Sequence, residues 1–178
     1  SDNSADDNGG GILNMGRATV TNSTLSWNSA HIGGGIMNGS GMLTLTSSTL
    51  SGNSAVWEGG GIANSGTLTL TDSTFSGNSS PGSGGGILSY NNEYAVTTLA
   101  RSIFAQGTSG ENCAGGGLIS QGDNISSDST CITNNPTLND RNNTDPLLDP
   151  AGLQDNGGPT LTIALQPGSP AIDGVRYG

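Results

Sequence analysis

The chain has 178 residues, 31 of them glycine, with fourteen Asp and Glu against four basic residues, one histidine and a net charge of -10. All four bases are arginines (Arg17, Arg101, Arg141 and Arg176), so the Lys/Arg clusters that hold nucleic acid phosphates or anionic lipid are missing and polyanion binding is excluded. No apolar run approaches the ~20 residues that cross a bilayer as a helix, and the regular placement of Leu, Ile and Val separates this Ser/Thr/Asn/Gly-rich composition from that of a disordered chain.

The chain opens on SDNSADDNGGGI, which reads as the tail of a repeat, so the first coil is expected to be partial. From there the sequence says nearly the same thing several times, with a period near 25. GGGI recurs at Gly9, Gly33, Gly59 and Gly84, and GGGLI at Gly115 reads as a worn fifth copy. Thr19, Thr44 and Thr69 share a column, Thr21, Thr46 and Thr71 share another, and Val20, Leu45 and Leu70 lie between them. Leu25, Leu50 and Phe75 form a further column, and Asn28, Asn53 and Asn78 one more, with Asn3 a period earlier. A fixed period in this range marks a solenoid, propeller or array.

Local chemistry selects among these. ATVT and TLTLT alternate with period two, which predicts strands with Leu or Val inward and Thr outward. STLSGN and GGGI are short extended pieces bounded by Gly, Asn and Ser turns. No stretch carries an amphipathic helical period, which rules out leucine-rich and helical solenoids. Three short strands per repeat, each stacking on its own copy, predict an all-β chain: a right-handed parallel β-helix of about 25 residues per coil. Glycine triplets allow tight corners at positive φ. Asn28, Asn53 and Asn78 are expected to stack as a structural amide ladder, because Asn tolerates left-handed turns and caps them. Five N-x-S/T sequons begin at Asn22, Asn38, Asn78, Asn124 and Asn142, a number that an Asn/Ser/Thr-rich chain produces by chance.

From Tyr90 the pattern loosens, although TTLARSIFAQG still sets Leu99 under Leu70 and Phe104 under Phe75. Residues 1–112 are therefore read as coils, and 113–178 as a degenerate coil, a cysteine segment and a cap of the same domain. Cys113 and Cys131 offer too few ligands for a metal site. In a lysine-free, Asn/Thr-rich chain they read as one disulfide, with two buried thiols as the alternative; a disulfide implies an oxidising compartment and a secreted or surface-exposed protein. Asp123, Asp128, Asp145, Asp149 and Asp155 cluster in sequence; turn-capping roles explain most of them, Ca²⁺ is the one cofactor they could suggest, and no metal or cofactor is assigned. Five of the seven prolines fall from Pro146 onward, so the tail cannot be an ordinary coil and is read as a cap on the C-terminal end of the apolar stack.

GGGI paired with LSWN, LSGN and FSGN resembles the GGA-I and F-x-x-N repeats of the chlamydial polymorphic outer-membrane proteins, surface β-helices with adhesive roles. The tail NTDPLLDPAGLQDNGGPTLTIALQPGSPAID resembles the C-terminal segment of secreted bacterial β-helix proteins of the choice-of-anchor Q type, in which a cysteine pair precedes this signature. The resemblance implies a secreted bacterial β-helix and supports the disulfide. It implies no activity, since fold does not fix function.

For function, a polysaccharide lyase or hydrolase needs acids and a base on one face of adjacent coils. The acids of the regular coils, Glu58, Asp72 and Glu93, fall in different columns, Arg17 and Arg101 sit at least two coils apart, and His31 stands alone in a turn, so no catalytic residue is assigned. The Thr19/Thr21, Thr44/Thr46 and Thr69/Thr71 pairs could form an ice-binding grid, but outward Thr is also simply a good strand residue. Trp27, at the position of Gly52 and Gly77, and Trp57, in a corner loop, are candidates for stacking on a sugar ring. The reading favoured is a non-catalytic adhesive, structural or assembly module, with glycans or surface proteins as partners. The partial first coil adds an expectation of end-to-end pairing into filaments.

Overall fold

The computed structural model describes residues 1–105, 107–132 and 137–174, and Arg176 lies outside them. Every regular element among the described residues is a β-strand. The first coil holds β1 (Ile12–Asn14), β2 (Arg17–Thr21), β3 (Thr24–Ser26) and β4 (Ser29–Ile32), and the second β5 (Ile36–Asn38), β6 (Met42–Thr46), β7 (Thr49–Ser51) and β8 (Ser54–Glu58). The third holds β9 (Ile62–Asn64), β10 (Thr67–Thr71) and β11 (Thr74–Ser76), and the fourth β12 (Ile87–Ser89), β13 (Val96–Ala100) and β14 (Ile103–Ala105). The fifth holds β15 (Cys113–Gly115), β16 (Leu118–Ser120) and β17 (Ile125–Ser126). They pair into three five-stranded sheets, β1-β5-β9-β12-β15, β2-β6-β10-β13-β16 and β3-β7-β11-β14-β17, all parallel. The chain is a parallel β-helix.

Register turns each sequence column into a column in space. Leu25, Leu50, Phe75 and Phe104 stand one above the next, as do Val20, Leu45, Leu70 and Leu99. The rings of Phe75 and Phe104 lie 5.3 Å apart in the centre of the rod. Burying each such side chain contributes roughly 1.5–3 kcal/mol, and the stack makes this burial continuous from coil to coil. The glycine triplets supply the corner where backbone meets backbone. Gly33 takes φ 66°, and a Cβ on Gly34 would strike the Ser54 carbonyl of the next coil.

Polar side chains close the other three corners, each in its own ladder. At the first, the backbone and side-chain amides of Asn28 both donate to Asn53 Oδ1 (3.1 and 2.8 Å), and those of Asn53 to Asn78 Oδ1 (3.0 and 2.9 Å). Asn3 does the same to Asn28. At the second, the amides of Ser23, Ser48 and Ser73 donate to the hydroxyls of Ser48, Ser73 and Ser102 at 3.1–3.2 Å, and Ser102 N–H donates to Asn124 Oδ1. At the third, Asn14 Nδ2 donates to Asn38 Oδ1 and Asn38 Nδ2 to Asn64 Oδ1, each at 2.7 Å, and Asn64 Nδ2 donates to Thr97 Oγ1 at 2.9 Å. No buried side-chain nitrogen or oxygen among the described residues lacks a partner.

The C-terminal third differs from the sequence reading in two ways. Its degenerate coil is a fifth turn of the helix: β15, β16 and β17 continue the three sheets, and Cys113 pairs with Ile87 in the column of GGGI isoleucines. GGGLI at Gly115 is therefore not a fifth GGGI corner but the turn from β15 into β16. The proline-rich tail is also not the end cap. Cys131 and Ile132 join the apolar core, and residues 137–147 stack on the fifth coil through the Asp123-to-Leu138 and Ser126-to-Arg141 backbone bonds. The tail instead forms a hairpin, β18 (Leu148–Gln154) with β19 (Thr162–Leu165), that runs back along the rod. Thr24 Oγ1 in the first coil donates to the Leu161 carbonyl (2.6 Å), and outward-facing Thr49 and Ser51 in the same sheet are buried.

The Cys113–Cys131 bond joins residues 18 apart and pins the end plug to the fifth coil. Within that loop, burial raises the Asp128 carboxyl. The amides of Asn112 and Thr130 and the hydroxyls of Thr130 and Ser126 more than offset this and hold it below the usual carboxylate value. Its contribution is thus present above the ordinary carboxylate pKa and fades as pH falls through the lowered folded one.

Two substitutions test this framework in urea unfolding. Asn53→Leu keeps the side chain's bulk but strips the two bonds its Oδ1 accepts from Asn28 and the two its Nδ2 donates to Asn78 and the Leu25 carbonyl, and a loss of about 3 kcal/mol is expected, since buried partners are left unpaired; an unchanged midpoint would show the column to be passive. Replacing Cys113 and Cys131 together by alanine should cost roughly 3 kcal/mol, with a loss near zero overturning the plug as a stabilising element.

Candidate functional site

Beside the three sheets the rod has a fourth, shorter side, formed by the segments SADDN (4–8), SAHI (29–32), SAVWE (54–58) and SSPGS (79–83). Pairing aligns Ser4, Ser29, Ser54 and Ser79 at one edge and Asn8, Ile32, Glu58 and Ser83 at the other. The first coil must therefore span this side with one residue fewer than its neighbours. His31 and Ile32 both send their amides to the Asp7 carbonyl (3.0 and 3.1 Å), and the register against β8 shifts between Ala30 and Ile32.

The consequence is a bulge in β8, which breaks the alternation of its side chains. Val56 and Trp57, adjacent in sequence, both face solvent, at 55% and 56% exposure. The His31 ring lies flat against Trp57, with centroids 5.0 Å apart and planes 18° from parallel. This corrects the sequence reading, in which His31 stood alone in a turn and Trp57 in a corner loop: both are strand residues, and each is the other's neighbour. The signal was present in the repeat spacing, since Gly9 to Gly33 is 24 residues and Gly33 to Gly59 is 26.

Groups around the stack are held in place. Ser80 Oγ donates to the Trp57 carbonyl (2.7 Å), and the Tyr90 hydroxyl donates to Glu58 Oε2 (2.8 Å). Burial, that hydrogen bond and the Glu58 charge together push the Tyr90 phenol well above its usual value, so it stays a donor. Beside the stack, Ser4, Asp6, Ser29, His31 and Val56 line a shallow depression of about 380 Å³.

Trp27 sits at the corner leading into this side, where its equivalents Gly52 and Gly77 have φ 66°. Trp27 adopts the same left-handed conformation, φ 57°, which costs a residue with a Cβ roughly 1–2 kcal/mol. Its ring lies over Gly52, where a Cβ would come within 2.6 Å of the indole, and Trp27 remains 62% exposed. Glycine takes the same left-handed turn in the next two coils, so the turn itself does not call for a tryptophan side chain.

The other residues singled out from sequence lie elsewhere. Thr19, Thr44, Thr69 and Thr98 align on the outer face of the second sheet, beside Thr21, Thr46, Thr71 and Ala100. Thr46 and Thr71 share a hydroxyl–hydroxyl bond of 3.2 Å, and Arg17, Met42 and Val96 interrupt the same face. Asp72 is clamped by Arg101 through two bonds of 2.7 and 2.9 Å, and that hydrogen-bonded contact and its charge raise the guanidinium further. Asp145, Asp149 and Asp155 each accept the amide two residues on, and Asp123 accepts from Asn139. No group of three or more potential metal ligands gathers among the described residues.

Comparison with family models, with curated proteins and with solved structures returns no match.

Trp27→Gly tests whether the frame needs this tryptophan. It restores the residue found in the next two coils, and stability is expected to stay level or to rise by up to ~1 kcal/mol as the left-handed strain is relieved. A loss of more than ~1 kcal/mol in thermal unfolding would make Trp27 a packing residue.

Proposed function

We propose that this chain is a non-catalytic binding module of an extracellular protein, a rigid rod that holds side chains against another surface. One observation carries the reading: Trp27 accepts a left-handed backbone and stays exposed, while the polar groups of the frame are spent on internal ladders. Strain retained without a structural return is a mark of functional positions. The exposed Trp57 on its His31 support lies on the next coil along the same side. The disulfide fits an oxidising setting, consistent with display outside a cell.

Two alternatives weigh less. For polysaccharide cleavage the acids of the regular coils are the first candidates, and of these Asp72 is spent on Arg101 and Glu58 on Tyr90. Head-to-tail assembly needs an accessible coil end, whereas the plug of Cys131, Ile132 and residues 137–147 occupies the C-terminal one.

Beads coated with the protein should adhere to cultured-cell or bacterial surfaces at least fivefold above bare beads, and the Trp27→Gly/Trp57→Ala double variant should bring them back to background. Adhesion at the bare-bead level, or adhesion indifferent to both substitutions, would remove the reading.

A further inference from the structure

Resting on that reading, we infer that the fourth side of the rod binds an uncharged oligosaccharide of several rings, laid along β8 from Trp27 to the His31–Trp57 stack. A pyranose has an apolar face of C–H groups and a rim of hydroxyls. It matches a site that offers a flat aromatic surface with donors and acceptors at its edge. Trp57 has one face against His31 and remains 56% exposed. Beside it the depression carries Ser4, Ser29, Asp6 and His31, and Ser29 Oγ already donates to Ser4 Oγ at 3.1 Å. Hydroxyls of both kinds, a carboxylate and an imidazole are the groups that sugar hydroxyls pair with.

Spacing sets the length of the ligand. Trp27 lies on Gly52 and Trp57 is five residues further along the same coil, a backbone path of up to about 16 Å. A path of that length has room for more than one ring. Between them β8 presents Ser54 and Val56 outward. Both aromatics are fixed before any ligand arrives, Trp27 by its backbone and Gly52, Trp57 by the bulge and His31, which limits the ordering cost of binding.

Charge sets the class. Asp6 lines the depression, none of the described arginines (Arg17, Arg101 and Arg141) does, and the chain as a whole carries -10. Uronate and sulfated polymers are disfavoured by this acidic, arginine-free lining. A cationic ligand would call for a cage of rings around the charge, and here the second ring is stacked on the first rather than set across from it.

The test is retention of the full chain on immobilised neutral polysaccharides (β-glucan, xylan, mannan and chitin) beside polygalacturonate and chitosan. Retention on at least one neutral polymer is expected, with its trimer or longer oligomers competing at least tenfold better than the monosaccharide. Trp57→Ala and Trp27→Gly should each weaken retention at least tenfold; Trp27→Gly keeps the loss separate from misfolding, because glycine is the residue of the neighbouring coils. Retention on no neutral polymer, retention only on polygalacturonate or chitosan, or retention unchanged in both variants would overturn the inference. If that happens while coated beads still adhere in a tryptophan-dependent way, the ligand class is wrong and the binding-module reading stands; if bead adhesion is also absent, both fall.

Discussion

Everything in this molecule depends on one constraint: each coil must follow the same path as the coil below it, so that parallel strands pair without a gap. A globular core tolerates local detours, but a ladder of backbone hydrogen bonds transmits them. The corners are where this constraint is tightest, because the turns of every coil bring carbonyls and amides together away from any sheet. Asn28, Asn53 and Asn78 solve it at one corner by accepting two amides from the coil before, and the serine column of Ser23, Ser48, Ser73 and Ser102 solves it at another. Side chains of one kind, repeated, give each turn the same kind of partner at nearly the same distance. This is why the repeat is conservative where nothing reactive stands.

The same constraint explains why departures are informative. A coil one residue short on its fourth side cannot pass the shortage along the rod, because Ser29 and Ile32 are both tied to their neighbours. The mismatch is absorbed locally as a bulge, and the bulge turns Trp57 outward next to Val56. Elsewhere the fourth coil absorbs its longer excursion in the Asn91–Tyr94 segment, and Leu99 and Phe104 return to register beyond it. The frame thus confines irregularity to the surface, where it costs little, and keeps the Leu and Phe columns intact.

Much of this architecture is legible in the sequence because a period of identical residues is a direct image of stacking. The columns of Leu45 and Leu70, of Leu50 and Phe75, and the Asn28 series can be read by eye. The Asn14, Asn38 and Asn64 ladder is equally periodic but sits beside the GGGI motif and is masked by it; the alternation I-x-N was the available signal. The fifth coil was misread because motif similarity and register point to different residues: GGGLI looks like GGGI, yet it is Cys113 that lies under Ile87. The proline-rich hairpin was misplaced for a physical reason as well. Prolines exclude a segment from a coil interior, and that exclusion is satisfied on the flank of the rod as well as at its end.

The candidate site was half legible. Trp27 could be singled out because it replaces glycine in a column, and a substitution against the repeat is visible without coordinates. What it costs was not visible, since the positive φ of that column belongs to the backbone of Gly52 and Gly77 and is imposed on Trp27 by pairing. The partnership of His31 with Trp57 was hidden for the opposite reason. Nothing in either residue announces it; it arises because a coil shortened by one residue sets His31 against a strand with a residue to spare. In a repeat protein the frame is written in what recurs, and the surface that meets a partner in what fails to recur. On this rod the failures at Trp27, in SAHI and in SAVWE fall on one side and on adjacent coils.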